Sequence, residues 1–271
     1  MKIAILAAGY TRCFPLFVDK PKCLYHLDGE VQLERVIKVA EKFVDDEDII
    51  VVAGYKCRYI YKYLKDTHPS IDYRVNENYL KSAIFSLRKA IEGVSEDVVF
   101  MLADENVSED NVRKICQSKR KMALLCHDKY YYYSVGIMKL DANSIGLIND
   151  DNYLNMEYMK KVYCFAENKE KYDGLFNINS GVCLGYTTID LVRRIGKIEK
   201  IENPVESYHG NDVDFIHYNP DVEYIPDIDY FSDTDEYETN KLLRFYNDFI
   251  SEPIKVVGRF VKKILRKLKL I

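Results

Sequence analysis

The run Lys2-Ile3-Ala4-Ile5-Leu6, followed at once by Ala7-Ala8-Gly9, constrains this chain most. It reads as a buried strand whose end is marked by small residues and a glycine, the edge at which open α/β sheets hold their ligands. Ala7, Ala8 and Gly9 leave room for backbone N–H groups to approach an anion, while Arg12 and Lys22 bring fixed positive charge to the same mouth. Phosphate suits such a place. An ordinary strand followed by a basic loop fits glycine and charge equally well.

The strand is the first of a series. Asp28-Gly29 reads as a tight turn, and Leu33, Val36, Ile37 and Ala40 fall at helical spacing within a segment from Val31 to Phe43. Ile49–Ala53 is a continuous apolar run closed by Gly54, and an amphipathic helix follows over 58–64. A short strand is expected at 71–76 and a helix opening from Asn76, with Ser82 or Ser86 in its first turns. Val98–Leu102 is the next buried strand. Met122–Cys126 and the segment through Tyr130–Tyr133 to Met138 read as antiparallel strands over a pocket.

Asp104 stands just past the third long apolar run, so it sits at the strand edge beside the same crevice. A carboxylate and a phosphate cannot share a site without a cation between them, which implies Mg²⁺. Glu105 alternates to the other side and reads as a solvated carboxylate. Near the end, Asp227 and Asp229 share one face of an expected strand and can point at one metal, while Asp233 and Asp235 suit the start of the helix that comes next.

With 271 residues and 48% hydrophobic content the chain buries a sizeable core in one domain, about residues 1–250, with an extension over 251–271. A net charge of −4 argues against nucleic acid as a partner. The seven cysteines include no C-x-x-C pair, so neither a zinc site nor a disulfide framework is indicated, and a reducing cytoplasm suits them. His209 and His217 lack a partner at zinc spacing. The N-terminal apolar run is too short for a signal peptide, and no stretch is long enough to span a membrane.

The extension differs in composition. Ile254, Val257, Phe260, Val261, Ile264, Leu265 and Leu268 recur at helical spacing among Lys255, Arg259, Lys262, Lys263, Arg266, Lys267 and Lys269. Such a basic amphipathic helix suits the surface of an anionic membrane, which would place the protein at its inner face. A helix docked on the domain, or a homodimer contact, suits the stripe too.

From Arg12 to Leu24 the spacing Arg12-x-x-Pro15-Leu16 and Pro21-Lys22-x-Leu24 resembles the signature of the sugar-phosphate and alcohol-phosphate nucleotidyltransferases, a Rossmann-like superfamily. Val51–Lys56 resembles that family's V-x-G-Y segment, Asn76–Leu87 resembles the N-x-x-Y landmark of its choline-phosphate cytidylyltransferases, and Ala103-Asp104 stands where the family has Gly-Asp. Ile228-Asp229 resembles the acidic motif before the last helix, and Phe176–Gly185 the central strand after the acceptor-binding insertion.

The resemblance implies a mixed, mainly parallel sheet flanked by helices and a Mg²⁺-dependent transfer of CMP from CTP to a small phosphorylated or phosphonylated alcohol or amine such as choline phosphate. Pyrophosphate is released, and the product would serve a cell-surface polymer or phospholipid precursor route. Arg12 and Lys22 take the catalytic roles. Leu6, Ala7, Ala8, Gly9, Thr11, Lys81, Ser82 and Ala83 take the nucleotide, and Asp104 with Asp229, or Asp227 in its place, takes the metal. Asn179 falls to the acceptor. Tyr131 and Tyr133, from a chain with 23 Tyr and no Trp, would face an amine on that acceptor, although a tyrosine-rich strand forms readily without a ligand.

The loop Gly9-Tyr10-Thr11-Arg12 is one residue shorter than the family's and lacks its second glycine. That departure keeps open a catalytically silent relative tethered by its tail. A sugar-1-phosphate nucleotidyltransferase and a nucleotide-sugar-dependent glycosyltransferase also stay open.

Overall fold

The computed structural model describes residues 1–9, 20–127, 130–155, 184–197 and 212–218, together with Asp235. Nine strands lie in these segments: β1 (Lys2–Ala7), β2 (His26–Leu27), β3 (Glu30–Val31), β4 (Ile49–Ala53), β5 (Asp72–Val75), β6 (Val98–Leu102), β7 (Met122–His127), β8 (Tyr130–Leu140) and β9 (Val213–Tyr218). Seven form one sheet in the order β5-β4-β1-β6-β8-β7-β9, while β2 and β3 make a small hairpin. β1 runs parallel to both β4 and β6, β4 to β5 and β7 to β9, whereas β8 is antiparallel to its neighbours β6 and β7. The mixed, mainly parallel sheet expected from the sequence is the one observed.

Among the described residues five α-helices cover the sheet: α1 (Gln32–Ala40), α2 (Cys57–Thr67), α3 (Ile84–Ile91), α4 (Glu109–Gln117) and α5 (Leu184–Gly196). Side chains alternate along each strand, so β1 and β4 supply Ile3, Ile5, Ile49 and Val51 to one face, and Ala4, Leu6, Ile50 and Val52 to the other. The first set packs with Leu33, Val36 and Ile37 of α1, Ile60 and Leu64 of α2, and Val112 and Ile115 of α4. The second packs with Ile84, Leu87 and Ala90 of α3 and Leu191, Val192 and Ile195 of α5. Burial on both faces is why these strands are apolar without interruption.

Local chemistry sets the ends of these elements. Ser108 accepts from the Asn111 N–H at 3.3 Å and Glu109 and Asp110 occupy the first turn of α4, a cap and charges that suit a helix N-terminus. Arg74 ties β5 to the far end of α3: its Nη1 donates to the carbonyls of Lys89, Ala90 and Glu92 at 2.9, 2.9 and 2.8 Å, and its other nitrogens hold Asp72. Asp28 and Gly29 both adopt positive φ, +52° and +79°, as a two-residue hairpin turn requires. Their N–H groups converge on the carboxylate of Asp235 at 3.1 and 2.6 Å, so the residue expected to open the last helix also clasps the hairpin.

Several expectations change. The helix expected from Asn76 begins only at Ile84, because the preceding side chains form turns of their own. Asn76 Oδ1 accepts from the Asn78 N–H at 2.9 Å, and Ser82 Oγ from the Ile84 N–H at 3.3 Å. Leu184 and Gly185, read as the end of a strand, open α5 instead. Strand β9 and helix α4 were not anticipated. The expected final strand and helix, and the basic tail, lie outside the described residues apart from Asp235. Among the described residues no helix is long and apolar enough to cross a membrane.

Gly54 permits the close approach of the loops at the C-terminal edge. A Cβ there would meet Tyr79 Cβ at 2.6 Å, the Ala8 carbonyl oxygen at 2.8 Å and Ala8 Cβ at 2.9 Å. None of these atoms can rotate away, since each is backbone or Cβ. Gly54→Ala is expected to destabilise the fold by about 1–3 kcal/mol, read as a lower urea midpoint at unchanged slope.

Candidate active site

The sheet order places β1 at its turning point. The chain steps outward from β1 through β4 to β5, then returns to β6 on the other flank, so the C-terminal ends of β1 and β6 open a crevice where the direction of winding reverses. Interstrand bonds continue past the strands: the Ala103 N–H donates to the Leu6 carbonyl at 3.2 Å, the Tyr55 N–H to the Ala8 carbonyl at 3.3 Å, and the Asn76 N–H to the Ala53 carbonyl at 2.8 Å. These bonds hold the rim rigid.

Above that edge lies a cavity of about 310 Å³ lined by Leu6, Ala7, Ala8 and Gly9 from the end of β1, Leu102, Ala103 and Asp104 from β6, and Pro21, Lys22 and Cys23 from the short turn before the hairpin. Tyr79, Ala83 and Ser86 complete it from the approach to α3. The side-chain ammonium of Lys22 pairs with the Asp104 carboxylate across the mouth, each about 22% exposed. Sequence spacing expected both residues beside one crevice, and the fold brings them into contact from elements about 80 residues apart.

Glu105 takes a different course. Its side chain lies directly over Gly136 of β8, where a Cβ would strike it, so the two adjacent carboxylates serve different neighbourhoods. Of the trio expected on the nucleotide base, Ala83 lines the cavity; Lys81 is exposed, and Ser82 is buried with its hydroxyl turned to the start of α3. Neither of those two reaches the lining among the described residues. Arg12, Thr11, Asn179, Asp227 and Asp229 lie outside the described residues, as do the side chains of Tyr131 and Tyr133 on β8.

Tyr79 and Ser86 line the cavity although sequence reasoning did not assign them to the ligand. Tyr79 stands opposite Gly54, and its ring tilts toward Tyr55 at 6.4 Å between centroids. Ser86 Oγ accepts from the buried Asn76 Nδ2 at 2.9 Å, which fixes α3 to the end of β5. The signal for both was Asn76 with Tyr79 three residues later, read as a helix start. Its use is to build a rigid turn.

Burial, and then the neighbouring Asp104 carboxylate, push the Cys23 thiol up to about 12 despite the adjacent Lys22. A thiol so held stays protonated and unreactive at neutral pH. Alkylation at pH 8 is therefore expected to leave Cys23 unmodified in the folded protein and to label it on denaturation, read by peptide mass spectrometry; rapid labelling of the folded protein contradicts the packing described.

No family model matches the chain, and no curated protein sequence matches it. Solved structures do. The inositol-1-phosphate CTP transferase of T. maritima aligns with a TM-score of 0.52 and 14% identity, covering 92% of this chain and 97% of that one. A nucleotidyl transferase from Methanothermobacter aligns at 0.52 and 16%, covering 88% and 98%, and Rv0371c from Mycobacterium tuberculosis H37Rv at 0.53 and 16%, covering 90% and 99%. Identities of this size speak for fold. The chain has the Rossmann-like α/β fold of these structures, two of which are named as transferases of nucleotides.

Proposed function

We propose that the chain is a nucleotidyltransferase that moves CMP from CTP onto a small phosphorylated or phosphonylated alcohol or amine such as choline phosphate. One observation carries this reading: Lys22 and Asp104 converge over the ends of β1 and β6, a cation and an anion at a mouth otherwise lined by small residues and backbone. The fold of the similar structures supports a nucleotidyl transfer; the choice of CTP and of the acceptor rests on the resemblance in sequence.

In this reading the triphosphate lies along Leu6–Gly9, whose small side chains admit it to the backbone N–H groups; a Cβ added at Gly9 would meet nothing within 4 Å. An oxygen of the acceptor phosphate forms a bond to the α-phosphorus. The bond from that phosphorus to the bridging oxygen breaks, and pyrophosphate leaves with the electron pair. The nucleophile is already an anion, so no residue need take a proton. Lys22 releases Asp104 and turns to the charge that develops on the phosphoryl oxygens, with Arg12 as its partner. The donor set fits Mg²⁺, since Asp104 offers a half-buried carboxylate now neutralised by a displaceable ammonium, with Asp229 or Asp227 as second ligand. When bound, Mg²⁺ would neutralise the phosphates. Asn179, Tyr131 and Tyr133 are assigned to the acceptor, Thr11 and the 81–83 turn to the nucleotide.

Pyrophosphate release from the four NTPs against choline phosphate, aminoalkyl phosphonates and sugar 1-phosphates tests this. Release is expected with CTP only when an acceptor is present, and Lys22→Ala is expected to lower turnover by about 10²–10³ without unfolding. Full turnover in a folded Lys22→Ala rejects the site. UTP or dTTP with a sugar 1-phosphate as the productive pair transfers the assignment to that branch, and a nucleotide that binds without release marks the silent relative.

The basic segment 253–271 is assigned to an anionic membrane surface. Cosedimentation with anionic vesicles should fall steeply from 0.1 to 1 M salt, as the Debye length shrinks from ~10 to ~3 Å, and vanish in a chain ending at residue 250. A truncated chain that still cosediments, or a full chain that never does, removes the membrane from the account.

A further inference from the structure

A second cluster of ligating groups lies far from the crevice, at the end of the sheet where the parallel strands begin. α2 starts just past the C-terminal end of β4 and must return to the start of the parallel β5, so its last residues reach that opposite edge. There the C-cap residue of α2, His68, meets Glu34 and Glu41 of α1 and its last turn, and Asp46 of the turn after it.

The arrangement is ordered around the imidazole. Nε2 of His68 lies 2.9 Å from Glu34 Oε2, an oxygen that also accepts from the Tyr63 hydroxyl at 2.7 Å, while Lys38 stands 4.0 Å from the other Glu34 oxygen. Glu34 is thereby held on three sides and fixes the ring. The other ring nitrogen, Nδ1, lies 3.2 Å from Glu41 Oε1 and 3.9 Å from Asp46 Oδ2. A carboxylate held against one ring nitrogen is how metal-binding histidines are oriented, with the other nitrogen turned to the metal. The His68 side chain is 11% exposed, and Glu41 and Asp46 about a third, so the carboxylates are reached from solvent.

Two carboxylates are thus gathered about one imidazole nitrogen. The distances suit a cation. Zinc bonds of about 2.0–2.2 Å at the tetrahedral angle place ligand atoms about 3.3–3.6 Å apart, and the two imidazole separations bracket that edge. All three ligand atoms lie within 4.8 Å of one another.

We propose that His68, Glu41 and Asp46 form a Zn²⁺ site, with Glu34 orienting the imidazole and water in the fourth position. Mg²⁺ is the poorer match, because it takes oxygen ligands, whereas one imidazole with two carboxylates suits a borderline-soft ion. The ion would clasp the end of α1, the turn at 45–48 and the end of α2. This site is independent of the nucleotide reading and would stand if that reading fell.

The test is a Zn²⁺ titration of the full chain against a chromophoric chelator, run in an Asp104→Asn background so that a metal in the crevice is not counted. One tight equivalent is expected there. His68→Gln and Asp46→Asn should each weaken it at least ~10-fold, and Glu34→Gln, which touches no ligand atom of the metal, by about 10–100-fold. Co²⁺ should give the intense visible bands of a low-coordinate ion, absent in His68→Gln. Circular dichroism without metal establishes that each variant is folded, and Asp46→Asn, on an exposed turn, serves if His68→Gln is not. Absence of the equivalent in Asp104→Asn, or unchanged affinity in folded Asp46→Asn, overturns the proposal.

Discussion

The crevice depends on β1 being bonded on both sides by parallel neighbours. Its backbone spends its hydrogen-bonding capacity on β4 and β6 as far as Ala7, and the bonds from Ala103 to Leu6 and from Tyr55 to Ala8 carry the constraint past the end of the strand. The residues just past the strand ends are fixed by these bonds. Ala8, Gly54 and Tyr79 then sit so close that only a glycine fits between them, and a rim forms whose positions are set before any ligand arrives. Such preorganisation is what transition-state stabilisation by fixed charges and dipoles requires.

Charge is placed on that rim from two directions. Lys22 arrives on a short turn leading into a hairpin that is clasped at its tip by Asp235, and Asp104 arrives at the end of β6. Partly exposed ion pairs add little to stability, about 0–1 kcal/mol, so the contact is better understood as mutual neutralisation at the mouth of the cavity. In the proposed reaction a polyphosphate with its metal would offer each partner a replacement: the ammonium would find phosphoryl oxygens and the carboxylate a cation. The pair would then exchange partners without leaving a charge uncompensated. The clasp at Asp235 links this turn to the segment that leads into the basic tail.

Much of the fold was legible because doubly buried strands leave a plain trace. Ile49–Ala53 and Val98–Leu102 are apolar at every position, and glycine or an acid stands close beyond each. Asp104 was legible as a candidate for the same reason, since residues just past a buried strand face the ligand edge, whereas Lys22 was legible from its charge and from its place in the Pro21-Lys22-x-Leu24 spacing. The start of α3 was not: Asn76, Ser82 and Ser86 carry the same side chains whether they cap a helix or close turns before it, and tertiary contacts with Gly54 and Ala53 decide. Ser86 and Tyr79 were hidden behind that choice. The cluster around His68 was hidden for another reason, because its members come from two helices and a turn and share no motif. Helix α5 replaced an expected strand end at Leu184, where tertiary burial of Leu191, Val192 and Ile195 outweighed a glycine near its start.

The central claim is that nucleotide and metal meet between Lys22 and Asp104 at the ends of β1 and β6. A crystal structure with a non-hydrolysable CTP analogue and Mn²⁺, read at the manganese absorption edge, tests it directly. The account predicts one anomalous peak within coordination distance of Asp104, phosphates against Ala7–Gly9, and Lys22 moved from Asp104 to a phosphoryl oxygen. A nucleotide bound elsewhere, or a metal in the crevice that leaves the Lys22–Asp104 pair intact, would contradict it.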